Sequence, residues 1–159
     1  MSENEELNAT ETPGTGETPA TPPAAPEYTS PINAALEAVI TAMNATNPFA
    51  TVTRGALPSG PGLTCELGPN NPEEVYFNKD RAITLDVTLN GKHANLKTVT
   101  DAMNLIHARL TRATSYTSGT GWQIIDIRNY SLPNVIGREE NNMWLLASSL
   151  AVDLFWRGE

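Results

Sequence analysis

Chemistry-bearing side chains are scarce in this sequence, which has one cysteine, two histidines and no long apolar run. With Cys65 alone there is no internal disulfide, and a lone thiol fits a reducing compartment. The lack of about 18 consecutive apolar residues excludes a membrane-spanning helix, and the N-terminus is acidic where a signal peptide is basic and then apolar. The expectation is a protein made in a cytoplasm, with no membrane partner. Basic residues are missing from residues 1–30, which hold six acids. The other 12 acids face 10 bases, so of the formal charge of −8 only −2 falls on the rest of the chain.

Metal and nucleophile chemistry have little to work with. Neither His93 nor His107 has a cysteine, histidine or carboxylate at a recognised metal spacing. His107 follows Ile106 on the flank of an amphipathic segment and reads as solvent-facing. Cys65 alternates with Leu63 and Leu67 and reads as a small core residue, since a catalytic thiol needs a base and an electropositive setting. No nucleophile elbow or phosphate-binding loop is present. The glycines of Ser59-Gly60-Pro61-Gly62 and Ser118-Gly119-Thr120-Gly121 lack the lysine and the strand-to-helix context such loops require. Glu73-Glu74 and Glu139-Glu140 are adjacent acids that point apart rather than pair. Bases are scattered, with only Lys97, Arg109 and Arg112 grouped on one helix, so a phosphate-binding surface is not indicated. Trp122, Trp144 and Trp156 read as core or interface anchors. The expectation is a non-enzymatic protein without catalytic residues, metal or cofactor.

What is present is a tail and a domain. Residues 1–29 are built from Glu, Thr, Pro, Gly and Ala, with Leu7 and Tyr28 the only large apolar residues. Ordering them costs about 1–2 kcal/mol per residue, against about 1.5–3 kcal/mol for each large side chain buried. A disordered acidic tail followed by one α+β domain over 30–159 is therefore expected.

Ser30-Pro31 predicts a helix start, and Ile32, Leu36, Val39, Ile40 and Met43 share its apolar face. A loop over 49–62 follows, with a short extended piece around Thr51–Thr53. Alternating runs at Leu63–Leu67, Val75–Phe77 and Ile83–Leu89, joined by short turns, predict an antiparallel meander. A turn at Asn90-Gly91 leads to a second helix marked by Leu96, Val99, Met103, Ile106 and Leu110. After the loop 114–121 come a strand from Trp122 to Ile127, a polar connection through Pro133 and Gly137, and a last segment, 143–157. That segment suits a strand better than a helix. The order is α-β-β-β-α-β-β, a mostly antiparallel sheet with two helices packed on one face.

The capped second helix, the tryptophan-led strand, the run Leu132-Pro133-Asn134-Val135-Ile136-Gly137-Arg138-Glu139-Glu140-Asn141-Asn142 and the closing Leu154-Phe155-Trp156-Arg157 resemble the tail terminator, or tail-completion, family of long-tailed phages. Such proteins are often labelled minor capsid proteins. The resemblance spans roughly 31–159 and rests on element order, not on a catalytic motif. It implies a virion protein of the head-tail junction, forming a ring, usually a hexamer, with itself. The ring caps the tail tube protein and meets the head connector or stopper protein, while DNA passes through without specific binding.

A head-to-tail ring needs two different complementary patches on each subunit. The candidates are Arg54, Gly55, Leu57 and Ser59 in one loop, Ser115 and Tyr116 in another, and Arg138, Glu139 and Glu140 before the last strand. The alternatives are another head-tail ring or tail-tube protein and, in a different class, a monomeric adaptor that binds a peptide along a sheet edge.

Overall fold

Pro31 at the first turn starts helix α1 (Pro31–Asn44), with the Ser30 carbonyl accepting from the Ala34 amide at 2.9 Å. Its buried stripe is Ala35, Leu36, Val39, Ile40 and Met43. The protein is described by a computed structural model over residues 19–24 and 30–158, in which two helices cover one face of a seven-stranded, mostly antiparallel sheet. The expected disordered tail over 1–29 lies outside the described residues except for 19–24, which are exposed and form no helix or strand.

The strands are β1 (Val52–Arg54), β2 (Gly62–Leu67), β3 (Glu73–Val75), β4 (Arg81–His93), β5 (Ser118–Gly119), β6 (Trp122–Arg138) and β7 (Trp144–Trp156), with α2 (Leu96–Thr111) between β4 and β5. Their order is β1-β2-β4-β7-β6-β5, and only β1 and β2 run parallel. The extended piece expected near Thr51–Thr53 is β1. The asparagine ending α1 holds it in place: the Asn44 amide donates to the Val52 carbonyl at 3.1 Å and accepts from the Val52 amide at 2.7 Å.

Four local expectations are corrected. The meander does not form, because β2 and β3 lie end to end along the same side of β4, whose other side pairs with β7 throughout. The link between them is stitched to β4 instead, the Gly68 amide donating to the Asp86 carbonyl and the Asp86 amide to Asn71 Oδ1. Val75 and Phe77, expected to be half-buried, are exposed, and Phe77 lies in the turn after β3.

There is no turn at Asn90-Gly91 either: β4 runs straight through both residues to His93. Gly91 serves close packing, since a Cβ there would lie 2.7 Å from both Met103 Sδ and Val99 Cγ2 of α2. Nor is 128–137 a loop. β6 continues to Arg138, and the chain turns at residues 139–143. The segment from residue 143 is a strand, as expected, alternating Leu146, Ser148, Leu150, Val152 and Leu154 into the helix-covered face.

Asn95 caps α2, its side chain accepting from the Lys97 and Thr98 amides. The two helices run in opposite directions. Asn33 and Glu37 of α1 reach Arg54, in the row of Cys65, whereas Asn44 reaches Val52, in the row of Leu63. The start of α1 thus lies toward the Arg81–Trp156–Trp122 end of the sheet. The C-terminal end of α2, which leads into the loop before β5 and β6, lies at the same end. α2 rests chiefly over β6, and α1 packs beside it.

Candidate assembly surface

The sequence-derived candidates fall in three separate places. Arg54 ends β1 at one edge of the sheet and pairs with Glu37 at 3.2 Å. Gly55 follows at φ 103°, a left-handed conformation that favours glycine, and Ser59 is exposed while Leu57 is half-buried.

Ser115 and Tyr116 lie at the far end of the sheet, after α2. Ser115 is exposed, but Tyr116 packs on the core and donates its hydroxyl to the Leu110 carbonyl at 2.9 Å. Burial raises the Tyr116 phenol above its ordinary range.

Arg138, Glu139 and Glu140 sit at the opposite end, where β6 turns into β7. The Arg138 guanidinium stacks over Trp144 at 4.8 Å, and Glu140 is exposed. Glu139 grips the ammonium of Lys92 with both oxygens, at 3.1 and 3.2 Å. Lys92 is only 4% exposed, so this carboxylate neutralises a buried charge and fixes the hairpin end to β4.

A feature the sequence reasoning missed lies between these places. β6 sets 17 residues against 13 of β7, and the four extra residues appear as four shifts in register. Each shift is a bulge that displaces part of the strand from regular pairing. The shifts fall at Ile125, at Tyr130, at Leu132-Pro133 and at Ile136. At each of them stands an exposed apolar side chain: Ile125, Tyr130 (71% exposed), Leu132 and Ile136, with Val135 beside the last.

β5 covers only Trp122 and Gln123 on the outer side of β6, so among the described residues the rest of that edge has no strand beside it. Such a row of large exposed apolar groups along an edge is a candidate contact surface. The signal was present in the alternation break after Ile127, where apolar residues recur without a fixed period.

The two residues most open to a catalytic reading are both engaged in structure. Cys65 is buried, and loss of solvation pushes its thiol up to about 12. His107, expected at the surface, is 2% exposed: Nδ1 lies 2.8 Å from Asn129 Oδ1 and Nε2 lies 2.8 Å from Ser148 Oγ. Burial lowers its pKa, against the smaller opposing effect of Asn129. The neutral ring then donates from Nδ1 and accepts the serine proton at Nε2. Its position on the flank of α2 faces β6 and β7 because α2 lies over them.

Among the described residues no cluster of three or more His, Cys, Asp and Glu forms a metal site, and no helix is long and apolar enough to cross a membrane. An open cleft of about 500 Å³ on the uncovered sheet face is lined by Glu74, Tyr76, Gln123, Ile125, Asp153 and Phe155 among others, with no histidine or cysteine.

The fold is that of an α+β protein with two helices on one side of an antiparallel sheet. No protein-family profile and no curated protein matches the chain. Among solved structures it is similar to a chain described under "Virion of native gene transfer agent (GTA) particle", with a TM-score of 0.54 and 14% identity. The match covers 77% of this chain and 94% of that one, and at this identity it is a likeness of fold.

Proposed function

We propose that the chain is a structural subunit of a phage-like virion: a tail terminator whose copies form a ring at the head-tail junction, capping the tail tube and meeting the head connector. The observation that carries this reading is the bulged edge of β6, with its row of exposed Ile125, Tyr130, Leu132 and Ile136. It gives each subunit an apolar edge unlike the β1 edge across the sheet, where Arg54 pairs with Glu37. Two unlike edges are what a closed head-to-tail ring requires. Arg54, Gly55, Leu57, Ser59, Ser115, Tyr116, Arg138, Glu139 and Glu140 remain candidates for the further contacts with neighbours, tube and connector.

The fold likeness to a virion chain supports the same reading. The near-neutral charge of the domain fits it as well, since such a surface would let DNA pass without gripping it. In this proposal residues 30–159 are one domain and the acidic tail stays outside the ring.

Strand addition by a peptide, the adaptor alternative, is disfavoured along β6, because four bulges and Pro133 interrupt the regular spacing of edge hydrogen-bonding groups. Electron microscopy of purified tail tubes mixed with the full chain tests the proposal. A ring of density at one end of the tube is expected, and tubes with bare ends in excess protein would contradict it.

A further inference from the structure

The outer side of α2 carries two cations, Arg109 and Arg112, with no counter-charge among the described residues. Leu105, Ala108, Arg109, Arg112 and Ala113 line an open groove of about 540 Å³ near the helix C-terminus. Leu105 is exposed there, and neither arginine is in a salt bridge with any described carboxylate, which is also true of Lys79, Arg138 and Arg157, but only Arg109 and Arg112 stand one helical turn apart on one face. A groove with an apolar floor and two guanidiniums that no described carboxylate pairs suits an acidic segment that carries an apolar anchor.

We propose that the occupant is the chain's own N-terminal segment, residues 1–29, docked on the groove of the same subunit. Its composition carries the charge argument: six glutamates and no base, with Leu7 and Tyr28 as apolar anchors. The fold supplies the reach. The helices pack side by side in opposite directions, so Ser30, where the segment joins α1, lies at the same end of the domain as Arg109 and Arg112. Packed helix axes are about 8–10 Å apart, a gap that a few residues span. Residues 19–24 hold no charge and are exposed, which leaves Glu27 with Tyr28 on one side and the remaining glutamates on the other to make the contact. The inference does not depend on the ring.

Cys65 is buried with a raised pKa, so a cysteine introduced as Thr10→Cys in the full chain takes a nitroxide label selectively. In amide NMR spectra of that protein, resonances of Leu105 to Ala113 are expected to lose at least about half their intensity, and to regain it at about 0.5 M NaCl or in the Arg109→Glu/Arg112→Glu variant. Both arginines are exposed, so the variant keeps its fold, which its own spectrum verifies. Equal broadening in the variant and the parent, or broadening unchanged by salt, overturns the proposal. Broadening that appears only when labelled chains are mixed with unlabelled ¹⁵N chains places the segment on a neighbouring copy and overturns docking within one subunit.

Discussion

His107 occupies a position where a leucine would have completed the apolar face of α2, and its two ring nitrogens tie that helix to Asn129 of β6 and Ser148 of β7. Burial favours the neutral ring, so its folded pKa lies below the ordinary 6.5. Below that ordinary value the unfolded chain takes up the proton first. The stability tied to the neutral ring is therefore full above about pH 6.5 and is lost as pH falls toward the lowered folded value. Thermal unfolding across pH 7.5 to 5 is expected to show a fall in Tm that is smaller in His107→Gln, and identical pH profiles would contradict this.

The sequence could not place this histidine. Helical spacing gives a residue's angle around the helix axis but not the direction from which the sheet approaches. Cys65, by contrast, was legible, because the period of two places it on the same side of its strand as Leu63 and Leu67.

Elements with strong periodicity were readable, and those shaped by contacts far along the chain were not. Both helices follow from spacing and their start signals, and the spacing of the closing segment, which also suits a helix, favours the strand that forms. Gly91 looked like a turn because Asn-Gly is the commonest hairpin signal, yet its role is to let Val99 and Met103 of α2 approach β4. Gly91→Ala is expected to destabilise the fold by about 1–3 kcal/mol through overpacking, measured by urea unfolding. A change near zero would mean that α2 sits more loosely than described.

β6 was hidden for a related reason. Bulges break the period-2 pattern, and Pro133 argues against a central strand, so the second half of the strand reads as a connection. Of the sequence-derived interface set, Glu139 has a partner that spacing could not show. Glu139→Ala leaves the buried Lys92 ammonium uncompensated and is expected to cost about 2–4 kcal/mol, with less lost in the Lys92→Met/Glu139→Ala pair. Equal losses in the single and double variants would deny the ion pair its role.

For the whole molecule, composition offers little of the cysteine and histidine that thiol and metal chemistry use, and it says nothing about assembly. That reading came from resemblance of element order, and the surface that supports it became visible only with the register of β6 against β7. The central claim is that the bulged edge of β6 is where subunits meet.

Sedimentation equilibrium of the full chain and of Tyr130→Ser/Leu132→Ser/Ile136→Ser, at matched concentrations with circular dichroism as a check on folding, tests it most directly. Buried apolar anchors each contribute about 1–2 kcal/mol to an interface. The parent chain is therefore expected to associate, and the folded triple variant to do so at least about a hundredfold more weakly. A parent that stays monomeric at the highest attainable concentration, or a variant that associates as the parent does, would contradict the account.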